Sequence, residues 1–307
     1  MSDAIRFDDV HRRFGAKPVL SGLSFGVRPG EIYALLGRNG AGKTTALSIL
    51  LGFLQPMSGT SSILGTPSGA LTPDVRLKVG LVTEGHRMYS WMKVRQAIEF
   101  EAGTRANFDR RYAEDALERL RISPKQWIFR LSRGQLAQLS LVFALAGDPE
   151  VLVLDDPAMG LDPVMRREFL GAMIELLGRE GRSVLFSSHI LADVERVADR
   201  IGILHGGRLI VDARLDEIKE RVQKRFVQTA LEPDEIARHV PGVLRARRVR
   251  NGIDLTLLDV GPEREAALQE ACSATSDPSV PTLEELFIEL TGQETLPPLS
   301  PGARGAA

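Results

Sequence analysis

The chain has 307 residues, 43% hydrophobic and 26% charged, and its 39 basic side chains nearly balance 40 acidic ones to leave a net charge of −1. At about 150 residues per domain this predicts one large domain and a smaller one with a packed core, and the charge balance excludes a bulk electrostatic grip on nucleic acid, so no nucleic-acid partner is expected. One cysteine, Cys272, excludes an intrachain disulfide, no stretch reaches the ~20 apolar residues of a membrane-spanning helix, and Met1 to Arg6 lack a secretion-signal core, so a soluble intracellular protein is expected.

In chain order, residues 4–35 read as short strands, with apolar segments Val19 to Val27 and Ile32 to Leu36 on either side of the turn pair Pro29-Gly30. Further strands are predicted at Val79 to Val82, Val151 to Leu154, Val184 to Phe186 and Ile201 to Leu204. Helical periodicity marks Thr44 to Leu54, Val94 to Glu101, Arg111 to Leu120, Gln135 to Ala146, Met165 to Leu177 and Leu191 to Ala198. This alternation predicts a mostly parallel sheet covered by helices, with a helix-rich insertion from about residue 90 to 140. After Asp212 the texture changes. A charged connector at Leu215 to Lys224 leads to a strand at Arg225 to Leu231 and a helix at Pro233 to Val240. Strands Leu244 to Val249 and Ile253 to Leu258 flank the hairpin signal Asn251-Gly252, and helices follow at Glu263 to Cys272 and Leu283 to Leu290. The expected organisation is a domain over 1–212, a linker over 213–223, an α+β domain over 224–292 and a disordered tail over 293–307.

Gly37-Arg38-Asn39-Gly40-Ala41-Gly42-Lys43-Thr44 matches G-x-x-x-x-G-K-[ST] between a predicted strand and a predicted helix. Glycines there let backbone N–H groups turn inward around phosphate oxygens at a helix start that already favours anions. Lys43 would reach the β- and γ-phosphates, and the Thr44 hydroxyl would bind Mg²⁺. Val151 to Leu154 delivers Asp155 and Asp156 to the same sheet edge, which reads either as an acidic strand end or helix cap before Pro157 or as a site with Asp155 as the metal residue and Asp156 to polarise the attacking water. Leu131-Ser132-Arg133-Gly134-Gln135 precedes an apolar helix, and reads either as a plain N-cap or as an anion-facing helix start. Ser187-Ser188-His189 ends another strand, where a polar side chain would face the γ-phosphate.

Taken in order, these pieces resemble the nucleotide-binding subunit of ATP-binding-cassette (ABC) transporters over about Ile5 to Asp212: the phosphate loop, the Leu131 to Gln135 signature, the Asp155-Asp156 strand, Gly160-Leu161-Asp162 as the D-loop, and His189 as the switch histidine. The resemblance implies an α/β P-loop NTPase cassette, with a mostly parallel sheet core, an antiparallel β subdomain and a helical subdomain, followed by a small α+β domain. It implies ATP and Mg²⁺ as cofactors. ATP contacts would come from Phe14, Gly37, Asn39, Gly40, Ala41, Gly42, Lys43, Thr44 and Thr45, and across a dimer from Ser132, Gly134 and Gln135. Metal contacts would come from Thr44, Asp155 and Glu84, and hydrolysis would use Asp156, His189 and Glu84. Two cassettes, as a homodimer or a heterodimer, would sandwich ATP and drive an integral membrane permease from the cytoplasmic face of the cell membrane. Two readings stand for Phe14, stacking on adenine or packing in an edge strand. Two also stand for Tyr89, Trp91 and Met92, a permease-facing cluster or the core of the helical subdomain. The C-terminal segment, with Thr282 to Phe287 before Thr291-Gly292, resembles exporters of the ABC-2 type.

Three residues depart from the family pattern. Glu84 stands where glutamine is usual, Asp156 where glutamate is usual, and Arg133 where glycine is usual. A carboxylate at position 84 is a good Mg²⁺ ligand but repels phosphate when the metal is absent. The shorter Asp156 is expected to give slow turnover. Arg133 would add a cation near the partner's nucleotide. The alternative function is a regulatory ABC-type ATPase or ATP-binding module without a transport role. The run Arg245, Arg247, Arg248 and Arg250 reads as a solvated strand face.

Overall fold

The computed structural model describes residues 2–86, 88–177, 181–272 and 274–291; the tail expected from residue 293 lies outside the described residues. Contacts divide the chain into two units, Met1–Asp212 and the residues from Ala213 onward.

In the first unit a six-stranded sheet runs in the order Arg208–Arg214, Arg200–His205, Ile32–Leu36, Ser183–Ser188, Val151–Asp155, Val79–Val82. Ile32–Leu36 pairs in parallel with both of its neighbours, and the remaining strands out to Val79–Val82 continue in parallel. The four residues Val151 to Leu154 are all buried, which is why this strand reads as an unbroken apolar run rather than an alternating one. The pairing aligns Leu36 with Ser188 and Asp155 with Ser187. The glycine loop after Leu36, the aspartate pair and the Ser187-Ser188-His189 segment therefore leave the sheet from the same edge, where open α/β sheets place their sites.

A second, antiparallel sheet has the order Lys17–Val27, Ile5–Phe14, Ser58–Ile63, Thr66–Pro67. Stacked rings of Phe7, Phe25 and Tyr33, with centroids 4.7 and 4.9 Å apart, tie it to the parallel sheet. Ser58–Ile63 has no strand signature in the sequence, because Ser58-Gly59-Thr60-Ser61-Ser62 reads as a loop and only Ser61 and Ile63 are buried. Helices Val94–Thr104 and Arg110–Arg119 and the short helix Ile128–Arg130 fill the segment before Arg133–Leu145. Two helices are shorter than their periodicity suggests. Lys43–Leu50 stops where Gly52 turns at φ 74°, and Leu191–Val194 is one turn long because Asp199 accepts from the Ile32 amide, drawing the chain into the next strand.

The second unit is an antiparallel sheet in the order Val243–Val249, Gly252–Leu258, Val222–Gln228, Ala274–Thr275. Helices Pro233–His239 and Pro262–Ala271 help to form a core with Val227, Ile236, Ile253, Leu255 and Leu268. The strand expected at Arg225 begins at Val222, which is buried and pairs with Leu258, so residues 222 and 223 belong to the sheet and not to a connector. The expected hairpin forms with its turn moved by one residue. Val249 pairs with Gly252, leaving Arg250-Asn251 as the loop, and a Cβ on Gly252 would meet the Phe226 ring.

Candidate functional site

The loop after Leu36 closes around Gly42, whose φ of 111° and whose closeness to the Val19 carbonyl exclude a side chain. Lys43 begins the helix and is buried; its Nζ donates to the Gly37 carbonyl at 2.7 Å. Burial pushes the Lys43 ammonium below its usual range, and the neighbouring Asp156 and Asp155 partly offset this. A buried lysine resting on its own loop is poised to exchange a neutral carbonyl for anionic oxygens, a stronger partner.

Opposite the loop, one hydroxyl organises both carboxylates. Ser187 donates to Asp155 Oδ1 at 2.8 Å and accepts from the Asp156 backbone N–H at 2.9 Å. Thr44 Oγ1 donates to the same Asp155 oxygen at 3.2 Å. Asp156 is buried at φ 43°, an uncommon conformation for a residue with a side chain. Its Oδ2 accepts from His189 Nδ1 at 2.5 Å, and its Oδ1 is buried with no hydrogen-bond partner among the described residues. A carboxylate has room for several bonds, so this oxygen retains unused accepting capacity.

These groups border a cavity of about 440 Å³. Of the residues singled out from the sequence, the cavity brings together Phe14, Asn39, Gly40, Gly42, Lys43, Thr44, Thr45, Glu84, Asp155 and Asp156. Gly37 and Ala41 belong to the same loop without lining the cavity, and His189 reaches it through Asp156. Phe14 is half exposed, with the Arg12 guanidinium 5.0 Å from its ring centroid, so it is not core packing, and its strand pairs on both sides instead of lying at an edge. Glu84 is exposed on the turn closed by the His86 N–H on the Thr83 carbonyl. Lys17, Val19 and Met159 also line the cavity. No sequence motif marks them, because strand pairing and the sheet edge bring them there.

Ser132, Gly134 and Gln135 do not join that cavity. Ser132 and Gln135 form a reciprocal capping box, each side chain bonding the other's backbone N–H at 3.1 Å. Arg133 Nη1 donates to the Gly160 carbonyl at 3.2 Å, and Asp162 caps its own helix through the Val164 and Met165 amides. A separate groove of about 450 Å³ is lined by Met88, Tyr89, Phe100 and Phe143. Tyr89 and Trp91 are exposed at 53% and 65%, with ring centroids 5.9 Å apart, whereas Met92 is buried. The two readings of this segment divide accordingly: Met92 packs and the aromatic rings face outward.

The residues fit a magnesium–nucleotide pair. Mg²⁺ is characteristically held by one or two carboxylates together with phosphate and water. Thr44, Asp155 and Glu84 supply such a partial set, and no cage of three or more His, Cys, Asp or Glu side chains exists among the described residues.

Residues 20–159 match the family described as ABC transporter. The chain is 33% identical over 297 residues to the Nod factor export ATP-binding protein I of Burkholderia orbicola, covering 94% of this chain and 97% of that protein. It is 31% identical to the bacitracin transport ATP-binding protein BcrA of Bacillus licheniformis, covering 73% and 74%. A solved structure of an ATP-binding subunit of an ABC transporter superposes with TM-score 0.61 at 28% identity, over 71% of this chain and 92% of that one. An ABC transporter cassette solved in its ADP conformation, 22% identical with TM-score 0.62, shares the fold over 71% of this chain and 93% of its own. With a phosphate loop, an aspartate pair and a histidine converging on one sheet edge, and with a relative matched along nearly its whole length, this chain belongs to the ABC transporter family as one of its ATP-binding cassettes.

Proposed function

We propose that this chain is the ATP-hydrolysing subunit of an exporter, acting on the cytoplasmic face of the membrane through a separate permease and closing on a second cassette around ATP. The observation that carries the reading is the continuous hydrogen-bonded run from Thr44 through Asp155 and Ser187 to Asp156 and His189, set beside the glycine loop. The whole-length similarity to named export subunits supports the direction of transport.

Bound Mg²⁺ neutralises charge on the phosphate oxygens of ATP. Thr44, Asp155 and Glu84 hold the metal, Lys43 leaves the Gly37 carbonyl for the β- and γ-phosphates, and Phe14 takes the adenine face. The Asp156 carboxylate, which lines the cavity, accepts a proton from the attacking water, while His189 holds its Oδ2. Ser132, Gly134 and Gln135 face the nucleotide of the second cassette, which explains why they lie outside the cavity of their own chain. The exposed Tyr89 and Trp91 and the groove beside them receive the permease.

Asp156→Asn tests the reading. Loss of the base is expected to lower steady-state ATP turnover by ~10²–10⁴-fold and to accumulate an ATP-bound dimer on size-exclusion chromatography. Equal turnover in the wild type and the variant removes Asp156 from the mechanism.

A further inference from the structure

His86 is a buried histidine that no step above uses. It sits at φ 44° on the turn that carries Glu84, and its Nε2 donates to the Pro157 carbonyl at 3.0 Å, across 71 residues of sequence. The imidazole lies 6.5 Å from the Phe169 ring, and it also lines the groove that contains Met88, Tyr89 and Phe100. A carbonyl oxygen can only accept, so Nε2 carries the proton of this bond.

Pro157 follows Asp156 directly. The strained Asp156 is held by its N–H on Ser187, by its carboxylate on His189 and by its carbonyl, which accepts from the Met159 amide at 3.0 Å, while the next carbonyl, that of Pro157, accepts from His86. The first two fix the start of the residue and its side chain. The Met159 bond closes a local turn over Pro157 and Ala158, and the His86 bond ties that turn to a distant part of the fold; a left-handed residue whose following turn is untied relaxes toward the commoner conformations. That relaxation would swing the carboxylate away from His189.

We propose that His86 is a positioning residue for hydrolysis: its bond to Pro157 fixes the turn after Asp156, and with it the carboxylate at the cavity, and ties that turn to the one carrying Glu84. The inference rests on the reading of Asp156 as the group that accepts the water proton.

The test uses the full-length chain with MgATP. His86→Phe keeps the ring volume and removes the donor. It is expected to lower kcat by ~10–100-fold, the scale of an ångström-sized misplacement, with KM for ATP changed by less than about twofold. His86→Gln, whose Nε2 amide can still reach the carbonyl, is expected to recover most of kcat. In an Asp156→Asn background, His86→Phe is expected to change the residual rate by less than about twofold, because the two residues act as one unit. If His86→Phe does not fold, His86→Asn, with an amide too short to reach, takes its place with the same expectations. An unchanged kcat, a Gln variant as slow as the Phe variant, or the full loss repeated in the Asp156→Asn background each overturns the inference. The underlying reading fails separately, by full activity in Asp156→Asn itself.

Discussion

At the scale of single residues, Glu84 is the departure with the clearest chemical consequence. It faces the cavity that holds Lys43, Thr44 and Asp155, so a polyphosphate arriving without a metal meets two carboxylates and a third at Asp156. Opposite charge from Mg²⁺ reverses the sign of that encounter. Glu84→Gln removes one of the three negative charges while preserving the shape of the side chain. The variant is expected to bind ATP on the order of tenfold more tightly in EDTA, about 1.4 kcal/mol, with a smaller change in Mg²⁺. The ratio of the two affinities, measured by calorimetry, is therefore expected to shrink, and an unchanged ratio rules out the role of Glu84 in Mg²⁺ dependence. His86, two positions on, has no such signature in the sequence: its chemistry is a neutral N–H on a carbonyl 71 residues away, and only the fold brings the two together.

At the scale of elements, what the sequence reveals follows from how local the cause is. The phosphate loop lies within eight consecutive positions, and the buried run Val151 to Leu154 is apolar throughout, so both are visible before folding. Ser187 is different. The sequence places a polar group at that strand end, but its contacts with Asp155 and the Asp156 amide depend on the parallel register of two strands. Ser58–Ile63 and Gly252 show the same limit, since pairing with Ile5–Phe14 and a neighbouring ring decide them. The helix Arg133–Leu145 carries two demands at its first turn, a cap for its own amides and, in the proposed dimer, a hydroxyl for the second nucleotide. Two substitutions separate them. Ser132→Ala is expected to destabilise the chain by ~0.5–2 kcal/mol through loss of the cap. Ser132→Asp keeps a capping acceptor and favours the helix start electrostatically, so its thermal midpoint is expected to stay near wild type while ATP-dependent dimerisation is lost. Normal dimerisation by Ser132→Asp, followed by light scattering, would remove Ser132 from the interface.

At the scale of the whole molecule, the near-zero net charge conceals two units whose acidic groups respond to protons in opposite directions. In the first unit, burial raises the carboxyls of Asp193 and Asp212 even though Arg166 and Arg200 stand beside them. Folding thus favours their protonated forms, and acidification through their raised values relieves a cost. From Ala213 onward the sign reverses. The Arg221 hydrogen bonds hold Asp259 below its ordinary value of 3.8, and the Lys224 hydrogen bond holds Glu285 below 4.5. A lowered carboxylate contributes stability that is complete above its unfolded value and lost as pH falls through the folded one. Both pairs are partly exposed, so each contributes no more than ~1 kcal/mol, but they act on the smaller unit, where that is a larger share of the total. The second unit is therefore expected to unfold first as pH falls from about 4.5 to below 3.8. Both tryptophans, Trp91 and Trp127, lie in the first unit, which gives each unit its own signal. Far-UV circular dichroism should lose amplitude before tryptophan fluorescence changes, and Asp259→Asn combined with Glu285→Gln should weaken the pH dependence of that first step. Coincident transitions, or an unaltered first step in the double variant, would show that these two ion pairs do not set the order of acid unfolding.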